Sequence, residues 1–142
     1  MKTAEVREMD QFRVKQMEEA LIAIASMMDR TAKAKEKFKQ GTSQYTLQRN
    51  RLKALQICSA LISNELANSE TADSFTEEDL KNALAPIISL MSKSEKALGK
   101  LPRGTWQHTM LSNNLKALNI ALPLLMKALN GADAKYSSNE IL

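Results

Sequence analysis

The sequence predicts an all-α protein, an up-down-up-down four-helix bundle built from two duplicated αα-hairpins. Three observations carry that expectation. The first is composition: of 142 residues, 44% are apolar but only 4% aromatic, with four Gly and three Pro. The apolar content is therefore mostly Leu, Ala, Ile and Met, which are good helix formers, and few residues suit turns. The second is spacing, because apolar residues recur every three or four positions through long stretches, as on one face of an α-helix. The third is self-similarity. Gly41 to Ile57 reads GTSQYTLQRNRLKALQI, and 63 residues on Gly104 to Ile120 reads GTWQHTMLSNNLKALNI, identical at ten of 17 positions. Without a gap, the same register carries 16–67 onto 79–130 with 20 identities in 52 positions. Composition alone does not hold one offset that long, so the chain reads as a duplicated unit.

Helix 1 is expected over about Ala4–Lys39, with Val6, Met9, Phe12/Arg13, Met17, Leu21, Ile24 and Met28 on one face. Acids open it (Glu5, Glu8, Asp10) and lysines end it (Lys33, Lys35, Lys37, Lys39), the order the helix dipole favours. Gly41 is expected in the left-handed region, closing this helix. Thr42 then caps helix 2, its hydroxyl accepting from a free first-turn N–H. That helix runs to about Asn68 with Leu47, Ala54, Leu55, Cys58, Leu61, Ile62 and Leu66 facing inward. NSETADS (68–74) is a polar connection. Helix 3 starts at SFTEEDL: Thr76 as N-cap, Asp79 answering from N3, and Phe75 stapling onto Leu80. It runs to about Leu98, stopped by Gly99, with a kink expected at Pro86. Thr105 caps helix 4, expected from Trp106 to Asn130 with a kink at Pro123 and a stop at Gly131. The tail, 131–142, is expected to be flexible, with Tyr136, Ile141 and Leu142 as residues that would dock.

Short links make sequential helices antiparallel. Each hairpin exposes an apolar face it cannot bury alone, and pairing the two halves about a pseudo-twofold axis brings both GTxQxT segments to one end. The first 15 residues extend helix 1 beyond the duplicated register. At ~36 residues this helix is ~54 Å long, and Val6, Met9 and Phe12 continue its apolar stripe. That overhang needs a cover, either the C-terminal tail or a second chain, which would make a homodimer. The 142 residues form one domain. The single cysteine, Cys58, permits no internal disulfide and reads as a small packing residue. MKTAEVREMD lacks the apolar run of a signal peptide, and no segment approaches the ~20 apolar residues that span a bilayer. A cytoplasmic protein without a membrane partner is expected.

The repeated segment is also where function is sought. In helix 2, Thr42, Thr46, Asn50, Ala54, Ile57 and Leu61 form one stripe, polar for two turns and apolar beyond. Thr105, Thr109, Asn113, Ala117, Ile120 and Leu124 repeat it in helix 4. Polar groups are costly to bury unless bonded, so this Thr/Asn layer is either a structural network that fixes register or a small pocket. Charge concentrates at the same end. From Arg30 to Lys53 there are eight basic residues against Glu36, net +7; from Lys93 to Lys116 there are five against Glu95, net +4. With +4 on the whole chain, this end carries +11 and the remainder −7. Such an excess suits an anionic or protein partner, and the free N–H groups opening helices 2 and 4 would assist. The candidate binding surface is Thr42, Gln44, Thr46, Arg49, Asn50, Arg51, Lys53, Thr105, Gln107, Thr109, Asn113 and Lys116.

One His and one Cys are too few for the usual metal clusters. No phosphate-binding or dinucleotide fingerprint occurs, and no cofactor is expected. The one enzyme-like fragment is Arg103-Gly-Thr-Trp-Gln-His108, an Arg and a His separated by four residues. It resembles the catalytic motif of HEPN ribonucleases, which implies RNA cleavage by Arg103 and His108; the first half has Gln40 and Tyr45 at those places. The leading expectation is a non-enzymatic interaction module with a basic end. The alternative is sequence-independent nucleic-acid binding, although basic residues interleave with aromatics only at Phe38, Tyr45 and Trp106, against what base stacking asks.

Overall fold

A computed structural model describes residues 4–68 and 75–141, and of 4–7 and 133–141 the backbone alone. Among the described residues there are four helices and no strand: α1 (Ala4–Glu36), α2 (Ser43–Leu66), α3 (Glu77–Leu98) and α4 (Trp106–Ile141). α1 packs on α2 and α4, α3 packs on the same two, and α2 meets α4 across the middle. This is consistent with a four-helix bundle. No helix among the described residues is long and apolar enough to cross a membrane.

One core joins all four helices. Ile24, Leu55, Ile62, Ile87, Leu118 and Leu125 are wholly enclosed, and Phe75, Leu66, Leu90 and Ile120 pack against the cluster from its margin. Burial keeps the 63-residue step. Met17/Leu80, Ala20/Ala83, Ile24/Ile87, Ala54/Ala117, Leu55/Leu118, Cys58/Ala121 and Ile62/Leu125 are all buried pairs. On α1 the inward face is Met17, Ala20, Ile24 and Met27, with Leu21 and Met28 at its edge. Met9 and Phe12, on the overhang, are exposed. The side chains of Val6, Tyr136 and Ile141, the connection 69–74 and Leu142 lie outside the described residues.

Local signals account for most helix ends. Thr76 Oγ1 accepts from Asp79 N–H at 3.0 Å while Asp79 Oδ2 accepts from Thr76 N–H at 3.4 Å, a closed capping box. α3 ends at Leu98 with Gly99 as its cap, in right-handed backbone at φ −64. Both α3 and α4 run through their prolines, Pro86 and Pro123, as single helices.

Three boundaries and one face differ from expectation. α1 stops at Glu36, where Lys37 N–H and Phe38 N–H bond back to Ala34 O and Lys35 O, three residues away. This tightening consumes the last carbonyls. Gly41 is left-handed (φ 88), but it lies in the link and sets up Thr42 rather than closing α1. α4 passes straight through Gly131 to Ile141, so the tail expected to be flexible has a helical backbone. One glycine costs about 1 kcal/mol relative to alanine, which does not end a helix when Ala128, Leu129, Ala132 and Ala134 around it favour continuation. Leu47, expected in the core, is 44% exposed and stands at the lip of a groove between α2 and α3.

Candidate functional site

The two GTxQxT segments fold alike. Gly41 and Gly104 both have φ 88, a left-handed turn that glycine adopts without the strain a Cβ would bring. The next residue is extended at Thr42, and its hydroxyl works twice: Thr42 Oγ1 donates to Lys39 O at 2.7 Å and accepts from Tyr45 N–H at 3.2 Å. Thr105 Oγ1 donates to Pro102 O at 2.9 Å and accepts from His108 N–H at 3.3 Å. In each segment the helix proper begins when Thr46 or Thr109 N–H reaches the cap carbonyl at 3.1 Å. The threonines thus cap; their hydroxyls are committed to the backbone.

Beyond the caps, the expected buried Thr/Asn layer does not form. Asn50, Asn113 and Thr109 are exposed, Thr46 is half-buried, and Gln44 and Gln107 are exposed. An asparagine two turns into α2 sits on the helix flank, while the inward position at that level belongs to Arg51. Asn50 and Asn113 instead line two interhelical grooves. One, of about 580 Å3, lies between α2 and α3; the other, of about 1030 Å3, lies between α1 and α4. All 11 residues lining the smaller groove have their 63-residue counterparts lining the larger one. Asn50, Lys53, Ala54 and Ile57 on α2 correspond to Asn113, Lys116, Ala117 and Ile120 on α4. Facing them, Asp79, Asn82, Ala83 and Ser89 correspond to Gln16, Glu19, Ala20 and Ser26.

The buried polar residues are different ones. Thr31, Ser94 and Asn114 are buried, and Arg51 is half-buried with Nε and Nη2 enclosed and without a hydrogen-bond partner. Thr31 is satisfied by donating to Met27 O at 2.7 Å. These four come one from each helix and are two register pairs, Thr31/Ser94 and Arg51/Asn114. A search for identities misses them, because polarity recurs at these positions while residue type does not. The signal available was a polar residue twice at core spacing, one turn ahead of Ala54/Leu55 and of Ala117/Leu118.

Arg51 does not share the surface of Arg49 and Lys53, which are exposed four residues apart on one face of α2. Two residues apart on a helix are about 200° apart in projection, so Arg49 faces solvent while Arg51 turns inward, and desolvation holds its guanidinium below the ordinary pKa. Lys53 Nζ pairs with Asp79 Oδ1 at 2.9 Å. That hydrogen bond first, and the one from Thr76 N–H second, hold the Asp79 carboxyl below the usual carboxylate range. Elsewhere on the basic end Lys33 pairs with Asp29 at 3.0 Å, Lys35 Nζ lies 5.9 Å from the Tyr45 ring centre, and Arg30 Nη1 donates to Met110 Sδ. Part of the sequence-level excess is therefore neutralised or spoken for.

Burial pushes the Cys58 thiol up to about 12, so the nucleophilic thiolate is scarce at neutral pH. Among the described residues no three His, Cys, Asp or Glu side chains are grouped to hold a metal ion. Arg103 is exposed in the α3–α4 link and His108 half-buried in the first turn of α4, and no hydrogen bond joins their side chains. No family model, curated protein or solved structure matches this chain.

Proposed function

We propose that the protein is a non-enzymatic helical interaction module, made by duplication of an αα-hairpin, that receives a protein partner in an interhelical groove, a cleft that occurs twice. In this reading the hairpins pair up-down-up-down about a pseudo-twofold axis, and the grooves run down from the basic end that carries the two caps. The single observation behind it is the one-for-one correspondence of groove lining residues across 63 positions. Packing explains why buried Ala54 and Ala117 agree. It does not explain exposed Asn50/Asn113 and Lys53/Lys116, which contribute little to stability from the surface. A duplicated binding wall accounts for them. The surrounding positive charge favours an acidic partner, and the lone buried thiol suits the cytoplasm.

Site-specific photocrosslinking in cells tests this. A benzophenone amino acid in at least one groove, at Asn50 or at Asn113, should capture a partner, while one at exposed Glu95, outside both grooves, should not. Equal products from all three sites, or none from the grooves, would dismiss the reading. The charge concentration also supports sequence-independent nucleic-acid binding as the alternative, in which affinity for a single-stranded oligonucleotide falls steeply with salt. The HEPN-like reading of Arg103 and His108 predicts RNA cleavage that His108→Ala abolishes.

A further inference from the structure

The two grooves share their walls but not their charge. In the α2/α3 groove Lys53 is satisfied by the protein's own carboxylate, Asp79 Oδ1 at 2.9 Å. In the α1/α4 groove the counterpart of that acid is Gln16, which offers Lys116 no charge. Among the described residues Lys116 makes no ion pair. Glu19, the acid that does line this groove, is unpaired as well, and Lys15 beside it keeps the groove net positive.

The apolar lining departs in the same direction. Trp106 and Ile22 line the α1/α4 groove at 69% and 72% exposure, where the register counterparts are Ser43 and Ala85. Large apolar side chains left in solvent beside an unpaired charge are what an interface core and its polar rim provide. The lining on α4 runs from Trp106 to Ile120, ~21 Å at 1.5 Å per residue, which matches about four turns of a docked helix.

We infer that the α1/α4 groove takes an amphipathic helix of a partner protein. Its apolar face covers Trp106 and Ile22, and its carboxylate makes at Lys116 the contact that Asp79 makes at Lys53. The α2/α3 groove carries its own carboxylate and is the self-satisfied form of the same site. This rests on reading the grooves as binding sites, and it adds which one is open and to what chemistry.

Trp106 is the chain's single tryptophan, so its fluorescence reports on this groove alone. The probe is a Trp-free amphipathic helical peptide of Leu, Ala and Lys with one Glu, and its Glu→Gln twin, titrated into the full-length protein. The Glu peptide should shift Trp106 emission to the blue and saturate, binding about fivefold tighter than the twin, the upper end for a partly exposed ion pair. That preference should vanish in Lys116→Gln, and in Gln16→Asp, which supplies an internal carboxylate. It should persist in Lys53→Gln. Circular dichroism checks that each variant folds, and two variants on opposite walls keep the test decisive should one fail. Absence of a shift, equal binding of the twins, or a preference that survives both Lys116→Gln and Gln16→Asp overturns the inference. So does a shift produced by a single-stranded oligonucleotide and not by the Glu peptide. Crosslinking at either groove with no carboxylate preference would reject this inference and leave the module reading standing; loss of both would reject the module.

Discussion

Replacing Arg51 with methionine should make the protein more stable. Arg51 projects from the inward face of α2, one turn ahead of the buried Ala54 and Leu55 and two ahead of Cys58, and its Nε and Nη2 are enclosed without an acceptor. A buried donor left unpaired costs roughly 1–3 kcal/mol. Two such donors would double that, but the side chain is only half-buried, and solvent reaching the rest of it reduces the penalty. Methionine keeps the unbranched stem that packs against the core and carries no donor, so a gain of about 1–2 kcal/mol is expected. In urea, with a slope of about 1–3 kcal/mol per molar for a small protein, the midpoint should rise by roughly 0.5–1 M at unchanged slope. Arg49→Met, on the solvent side of the same helix, is the control and should move stability by no more than ~0.5 kcal/mol. If Arg51→Met instead lowers the midpoint, the guanidinium is bonded in solution and the desolvation argument fails.

Leu55→Ala and Leu118→Ala should each destabilise by roughly 2–5 kcal/mol, since both side chains are wholly enclosed; a loss below ~0.5 kcal/mol at either by urea denaturation would place that residue outside the core. Alanine at Gly41 or Gly104 should cost about 1 kcal/mol or more, because both have φ 88. At Gly131, helical and with open space where a Cβ would go, it should add about 0.5–1 kcal/mol, so opposite signs in thermal melts are the diagnostic. Cys58 should resist thiol reagents at pH 8 until urea unfolds the chain. Its folded-state pKa, about 12, is raised. The stability it contributes is therefore complete below the unfolded value of ~8.5 and declines as pH rises from there towards the folded one.

Spacing and caps made the helices legible, because both signals are local. Thr42, Thr76 and Thr105 each hold an N-terminus by a side chain three residues from its donor, a geometry that follows from the order of residue types alone. C-terminal ends were legible only in part: Gly99 closes α3 in right-handed backbone, while α4 continues through Gly131. A glycine costs a helix only about 1 kcal/mol relative to alanine, so the residues that follow it decide whether the helix goes on. The site was harder still. Identity between the halves marked exposed Asn50 and enclosed Leu55 equally, since it records that a residue is retained and not where its side chain points. Arg49, Arg51 and Lys53 alternate in sequence, but the helix keeps Arg49 and Lys53 on its outer face, Lys53 against Asp79, and turns Arg51 inward. That divergence needed the packing of α2 between α1 and α3 to be known. The polar residues at the inner positions, Thr31, Arg51, Ser94 and Asn114, were hidden because no pair among them is identical.

The grooves have a cause in the same sequence. Among the residues lining the α2/α3 groove Ala54 and Ala83 are buried beside Ile57, and in the α1/α4 groove Ala117 and Ala20 are buried beside Asn114. A methyl on both sides lets the backbones settle but cannot fill the crevice above them, whereas Leu or Ile at those places would close it, at interior packing density. The crevice is rimmed in both halves by Asn, Lys and Ser, polar groups that lose nothing by facing water and can bond to whatever replaces it. Small floor and polar rim recur together across the 63-residue step. The bulk and charge above them do not: Trp106 and Ile22 stand against Ser43 and Ala85, and Gln16 against Asp79. What the halves share therefore builds a cleft, and where they differ decides which cleft is left open. Fold requirements explain the alanine floor in the first set, since Ala54, Ala83, Ala20 and Ala117 are buried. The second set gains little from folding, since a tryptophan and an isoleucine held in water contribute no core packing; the proposed docked helix is what would give their placement on one groove a use.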